Sequence, residues 1–495
     1  MGGHAEMTEY ENPVKRGFYP DPSVIRVEDD FYMVNSSFQY FPAIPISHSK
    51  DLVHWKTVAH AVNDPEYLDL SHIKDSRGIW APDIAYSNGK YYIFATLRYN
   101  DEHKPMRRQL VTCSEHPQGP YSKPWFLDID NIDPSLFVDD DGSHYIVTAP
   151  GATVTPVSPD CREIIGPSRC VWEGIGERCP EGPHIFKRNG YYYAVVASGG
   201  TGYGHGIIMA RSKSLFGGYE PSPYNPLLRQ NDPEALIQRS GHGDFITDKN
   251  GNWYCLYLCG RRNGGNYTTL GRETALENVT WHSDNWCTVG SGVPSEKASL
   301  PLEEYIQTEE EYFDFKCGIP ESFQWVRVSA KHNYDNGIVL FPSDEPEYST
   351  ACSCILLHRE TELNTDVEVS FDYNTSKNSH AGLICYYSTV TYIRFSVFEN
   401  GLQLVVNKNN GEEIIKLENI FPSTLGVRVR GLEREFYYIT EEKEKVFCKI
   451  ENCTFLSDEG VPEDKKRHTG TLSGISCIGS APIRIKYFKI RGVRS

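Results

Sequence analysis

From Asp21 to Trp281 apolar and polar positions alternate in short runs, broken by tight turns. Such period-two alternation marks half-buried strands, and helical periodicity is weak throughout. One unit recurs: a polar residue, an apolar strand, a turn with Gly or Asp, then an aromatic-rich strand. Its copies are DPSVIRVEDDFYMVNSS from Asp21, PDIAYSNGKYYIFAT with Asp83, DPSLFVDDDGSHYIVTA from Asp133, EGPHIFKRNGYYYAVVAS from Glu181 and GHGDFITDKNGNWYCLYL from Gly241. The turns Asn88-Gly89, Asp141-Gly142, Asn189-Gly190 and Asn250-Gly251 predict hairpins.

Taking Asp21, Asp83, Asp133, Glu181 and His242 as markers, the copies are spaced 62, 50, 48 and 61 residues apart. That spacing suits four-stranded blades with loops, and five copies predict a five-bladed β-propeller. The segments SHSKDLVHW (47–55) and ARSKSLFGGY (210–219) would supply outer strands. No G-H…W-D pairs of a WD40 scaffold and no S-x-D-x-G-x-x-W box of a sialidase occur. Residues 282–310 read as a polar connector. Beyond Tyr312 short strands such as 366–374, 381–388, 392–400 and 402–409 predict a jelly-roll-like β-sandwich. The expectation is an all-β chain with a propeller over 1–300 and a sandwich over 301–495 that closes its pocket.

Composition narrows the partners. The 495 residues carry a formal charge of −17, which repels nucleic acid and anionic membrane surfaces. No stretch of about 18 apolar residues occurs, so no membrane span is expected. Aromatic content of 12%, with 31 Tyr, suits stacking against sugar rings. The N-terminus MGGHAEMTEYENP lacks the cationic and apolar regions of a signal peptide, so a cytoplasmic location is expected unless a leader has been removed. The 14 Cys contain no CxxC pair and are expected to be free thiols. A homo-oligomer is left open.

In a propeller the first strand of every blade lines the central channel, so the markers converge although they lie far apart in sequence. Asp21 and Asp133 each precede a proline, and Glu181 stands two before one. Proline restrains the preceding backbone and removes a donor, which fits the start of an inner strand. An Asp before Pro is also an ordinary turn residue. Three converging carboxylates nevertheless match what glycoside hydrolysis requires: one acid to protonate the leaving oxygen and one base to activate water. Like charges held close in a dry pocket keep one of them protonated at neutral pH.

The motifs YPDPS (19–23), SSFQYFPAIPISHSKDLVHW (36–55), GIWAPDIAY (78–86), IDPSLFVDDDG (132–142), EGPHIFKRNGYYY (181–193), SGHGDF (240–245) and TLGRETAL (269–276) resemble glycoside hydrolase family 43, in its β-xylosidase and α-L-arabinofuranosidase branch. FSVFENGLQLVVNK and LSDEG resemble the sandwich that follows the propeller in the β-xylosidase branch. The resemblance implies inversion, with Asp21 as general base, Glu181 as general acid and Asp133 orienting Glu181 and raising its pKa. Inversion sets the two carboxyls about 6.5–9.5 Å apart to admit water. Arg272 in LGRET is expected in the pocket, with Arg261 in CGRR as a second candidate; a structural ion pair is the other reading of both.

Phe38 and Trp80 are expected as pocket walls, with core packing as the alternative. His242 matches a channel position that, by the resemblance, contacts substrate or lies near a calcium ion or its waters, with a satisfied channel histidine as the alternative, since calcium prefers oxygen ligands. Asp83 reads as a supporting or structural residue. No cofactor is required. GERCPEG (176–182) departs from the family pattern by setting Arg178 and Cys179 before the acid; an exposed Cys179 would make the protein sensitive to thiol reagents.

The expected function is exo-acting removal of a terminal pentose from xylo- or arabinoxylo-oligosaccharides, with β-D-xylosidase ahead of α-L-arabinofuranosidase. A non-catalytic sugar-binding propeller would lack at least one of the three acids. A retaining fructosyl enzyme would need an arginine that IDPS lacks.

Overall fold

A computed structural model of the protein describes residues 7–306, 311–373, 379–409, 411–465 and 467–493. Asn374, the end of one expected strand, lies outside the described residues. Five antiparallel four-stranded blades form the propeller. Their inner strands are Ser23–Val27, Gly78–Ser87, Ile132–Val138, Glu181–Arg188 and Ile237–Thr247. In blade four a short strand, Leu228–Arg229, pairs alongside the fourth. The Asn-Gly turns at 88–89 and 189–190 have positive φ at both positions, as a type I′ hairpin demands.

The apolar face of every strand is spent between blades. Five separate clusters fill the five interfaces; Val34, Ile46, Ile84 and Ile93, for example, join the first two blades. Blade five meets blade one without sharing a strand. The N-terminal segment seals that seam instead. Thr8–Glu11 pairs with Lys297–Leu300, Asn12 bonds the Leu276 carbonyl at 2.9 Å, and Lys15 bridges to Thr274.

Each inner strand opens with the same device: a residue in the left-handed region, followed by proline or glycine. These pairs are Asp21-Pro22, Ala81-Pro82, Asp133-Pro134, Gly182-Pro183 and His242-Gly243, with φ of 54°, 38°, 56°, 59° and 48°. The strand register slips at this point in the last four blades. The equivalent residue in blade two is therefore Ala81, not Asp83, and in blade four Gly182, not Glu181. This corrects the marker set: the frame reads 21, 81, 133, 182, 242. Two residues on, a second layer follows: Ser23, Asp83, Ser135, His184 and Asp244.

Among the described residues the sandwich has two eight-stranded sheets around one core that includes Phe323, Leu383, Phe395, Val427 and Phe488. Its second sheet ends on a strand borrowed from the propeller. Tyr40–Phe41, in a loop of blade one, pairs with Phe323–Val326, placing Phe41 opposite Trp325. Phe18, Phe38 and Tyr40 then pack on Val326, Tyr386, Tyr392 and Leu472.

Buried charge pins the same seam. Arg327 of the sandwich donates to Asp75 at 2.7 Å and to the Ile73 carbonyl, and Asp75 also accepts from the Thr389 amide at 3.0 Å. Both side chains are almost wholly buried. Removing one partner strands the other's charge, which typically costs about 3–5 kcal/mol. Arg327→Met is expected to lower the urea midpoint of unfolding accordingly; an unchanged midpoint would show that the pair carries no net stability.

Candidate active site

A cavity of ≈ 430 Å³ opens at the channel mouth, and it gathers Asp21, Asp133, Glu181, Arg272, His242, Phe38 and Trp80 from five different blades and loops. Asp21 and Asp133 are buried, 5% and 9% exposed, because their left-handed backbones turn them toward the axis. Glu181 stands one residue before its blade's left-handed position and is only half-buried. It therefore faces the open side of the cavity. Gly182 makes room for this arrangement: a Cβ there would sit 2.9 Å from the His242 ring.

Asp21 is held by three groups. Arg272 Nη1 lies 3.2 Å from Oδ1, the Ser36 hydroxyl donates to Oδ2 at 2.6 Å, and His242 Nδ1 is 3.7 Å from Oδ1. Burial disfavours its charge, yet Arg272 and the other donors outweigh burial and hold the carboxyl below its ordinary value. Asp133 and Glu181 behave oppositely. Burial first, then the neighbouring carboxylates, raise both. Arg272 and Arg178 oppose the rise at Glu181 without cancelling it. Asp133 is raised well above the ordinary carboxylate range, and Glu181 is raised as well. Asp133 Oδ2 accepts from the Gly182 amide at 2.9 Å, which ties it to the strand that bears Glu181.

Arg272 is the hub. Nη1 also reaches Thr201 Oγ1 at 3.2 Å, and Nε and Nη2 both donate to the His468 carbonyl at 3.3 and 3.2 Å. His468 belongs to the sandwich. Its amide donates to Asp458 at 2.9 Å, and Asp458 in turn pairs with Arg239 at 3.2 Å and accepts from the Tyr387 hydroxyl. Beside the hub the two domains touch backbone to backbone. A Cβ on Gly271 would come within 2.7 Å of Gly470 Cα.

Arg261 is a correction. It lies outside the cavity, buried, and donates to Glu273 at 2.8 Å and to Glu362 of the sandwich at 3.1 Å. Cys259 pairs with Glu273 across the two strands, so Arg261 and Arg272 leave neighbouring strands in different directions. Phe38 is mostly core, 4% exposed, but its ring also lies 5.4 Å from the Arg272 guanidinium. Trp80 is less buried and is fixed by Nε1 donating to the Ser76 carbonyl at 3.0 Å. His205, which sequence reasoning missed, also lines the cavity; its ring lies over Gly241, and Nδ1 is 3.1 Å from the Arg239 carbonyl. Burial pushes His205 down to about 3 and His242 to about 4, so both are neutral imidazoles at neutral pH. Cys179 is exposed, but its thiol is held above its ordinary value by partial burial and by Glu181, which lowers the expected reactivity. All 14 Cys are free.

Among the described residues, the donor set suited to a cation lies one layer deeper than His242. Ligand atoms of Asp83, His184 and Asp244 are all within 4.8 Å of one another. Burial pushes Asp83 up to about 6, with His184 working against it and Asp244 adding to it. Both carboxylates already accept backbone amides, from Leu136 and Val24 at 2.9 Å.

An acid pair that retains a proton, opposite a carboxylate kept ionised by arginine at the mouth of a propeller channel, defines a glycoside-cleaving site. Residues 10–287 match the model of Glycosyl hydrolases family 43, and 313–491 match its Beta xylosidase C-terminal Concanavalin A-like domain. The chain belongs to glycoside hydrolase family 43. It is 31% identical to Xylosidase/arabinosidase 43B of Humicola insolens, over 95% of this chain and 94% of that one. It is 29% identical to Beta-xylosidase of Bacillus subtilis, over 97% and 99%. The crystal structure of the GH43 protein BlXynB from Bacillus licheniformis superposes with a TM-score of 0.95 at 42% identity, covering 98% of this chain and all of that one.

The chain is thus a glycoside hydrolase whose ionised carboxylate depends on a sandwich loop. Asp458→Asn should loosen the His468 carbonyl and with it Arg272, so Asp21 would protonate at higher pH. The acid limb of the hydrolytic rate profile is expected to move upward. A variant that merely melts earlier, with the acid limb unmoved, would confine Asp458 to joining the domains.

Proposed function

We propose that this enzyme is an inverting, exo-acting β-D-xylosidase that removes terminal pentose from xylo- or arabinoxylo-oligosaccharides. The observation that carries the reading is three carboxyls gathered in one cavity, of which Asp21 bonds Arg272 and Ser36 while Asp133 accepts the Gly182 amide of the strand that bears Glu181. Asp21, kept ionised by Arg272, acts as general base on water. Glu181, sharing a proton with Asp133, delivers that proton to the leaving oxygen. Asp133 holds the acid through the Gly182 amide and through the charge it contributes once ionised. Phe38 and Trp80 wall the pentose, and Arg272 and His242 offer polar contacts to its hydroxyls. The sandwich loop around Asp458, Glu463 and His468 narrows the mouth, which favours chain ends over internal bonds. Relatives named for xylosidase and for arabinosidase activity support both sugars, so α-L-arabinofuranosidase activity in the same pocket is the second reading.

Activity on p-nitrophenyl β-D-xyloside and α-L-arabinofuranoside tests the reading. Asp21→Ala should lower kcat/KM by about 10²–10⁴ on the preferred aryl glycoside, and Glu181→Ala by as much on the corresponding disaccharide, whose leaving oxygen, unlike nitrophenolate, needs the proton. Unchanged activity in either variant would remove that residue from the chemistry. Proton NMR of the first product should show the anomeric configuration inverted; retention would make Asp21 something other than a base.

The sign of the pH effect follows from the pair. Once both Asp133 and Glu181 are ionised they repel, so the last proton leaves late. Asp133→Asn removes that repulsion, and the basic limb of kcat/KM should move to lower pH. A limb that stays in place would separate Asp133 from the acid.

We also propose that no cofactor enters the chemistry, because side chains supply both acid and base. A channel cation would be held by Asp83, His184 and Asp244, where its charge would offset the two carboxylates and brace the inner strands. Chelation is therefore expected to leave kcat unchanged. A loss of kcat restored by Ca²⁺ would place a cation in the machinery.

A further inference from the structure

Four arginines line the cavity near the acids or at its rim: Arg77, Arg178, Arg239 and Arg272. Three have carboxylate partners. Arg77 pairs with Asp101, Arg239 with Asp458 and Glu459, and Arg272 with Asp21. Arg178 does not. Its Nε donates to the Gly199 carbonyl at 2.7 Å, and the Gly199 amide returns a bond to the Arg178 carbonyl at 2.9 Å. The guanidinium lies over Gly200, where a Cβ would meet Nη2 at 3.1 Å and Cζ at 3.2 Å. Gly200 has φ of +75°, so this floor is shaped for glycine. The clasp fixes the guanidinium plane, while both Nη groups find no acceptor among the described residues.

Its position gives the clasp a purpose. Arg178 is three residues before Glu181 and close enough to bear on its titration. The pentose that is cleaved occupies the buried end, against Asp21. The sugar that departs must lie beyond Glu181, toward the exposed rim where Arg178 sits. A planar fork of donors matches two adjacent hydroxyls of a sugar ring, which a single ammonium cannot match.

We propose that Arg178 forms the leaving-group subsite, its guanidinium binding the hydroxyls of the sugar next to the scissile bond. This rests on Glu181 as the acid, and it makes short oligosaccharides, rather than aryl glycosides, the substrates the site is built for.

The test compares xylobiose with p-nitrophenyl β-D-xyloside in wild type, Arg178→Ala and Arg178→Lys, each checked by thermal melting. In Arg178→Ala the ratio of kcat/KM for xylobiose to that for the aryl glycoside should fall about tenfold or more, the loss expected for charge-assisted hydrogen bonds. Arg178→Lys, which keeps the charge but not the fork, should recover little of it. A ratio that stays constant would show that Arg178 makes no contact specific to the departing sugar, and full rescue by lysine would assign it to the charge acting on Glu181; either result overturns the proposal. Wild-type protein inert toward both substrates would instead sink the xylosidase reading, and this inference with it.

Discussion

Arg272 is the interaction on which the site depends. One guanidinium compensates Asp21, bonds Thr201 of blade four and accepts its own placement from the His468 carbonyl of the other domain. Without it, Asp21 would be a buried carboxylate beside two neutral histidines, and burial would neutralise it. Asp21 would then hold a proton of its own and could not take one from water. The domain interface is therefore part of the electrostatics of the cavity. The backbone contact at Gly271 and Gly470, the buried Arg327–Asp75 pair and the Arg261–Glu273–Glu362 group all hold that one distance steady.

The geometry of the inner strands makes the chemistry asymmetric. Asp21 and Asp133 sit at left-handed positions and point to the axis, whereas Glu181 precedes its blade's left-handed glycine. That single-residue offset leaves Glu181 nearer solvent. The three acids are thus not equivalent members of a ring, and their protonation states divide accordingly. Left-handed backbone at a non-glycine residue costs of order 1–3 kcal/mol, and here the strand packing on both sides sustains it.

Much of this was legible in the chain. Alternation and Asn-Gly turns reveal the blades, and the Pro residues after Asp21 and Asp133 mark strand starts. The fault lay in the frame: the left-handed step inserts a residue that alternation cannot register, so Asp83 looked like a partner of Asp21 while belonging to the layer below. Arg261 and Arg272 are both arginines next to strands, and only the cross-strand register shows which one turns into the cavity. Asp458 and His468 escaped notice because their roles pass through Arg239 and a backbone carbonyl. The acidic LSDEG segment was the available signal. His205, flanked by glycines in GYGHG, offered a weaker one.

The borrowed strand Tyr40–Phe41 has a consequence for how such a chain can evolve. A propeller separated from its sandwich would leave that strand without its ladder, and the sandwich would bare the backbone of Phe323–Val326 as a raw edge, a template for unwanted pairing. Recombination between residues 287 and 313 looks harmless in a linear map, yet it severs one sheet. Neither half is complete at that edge without the other.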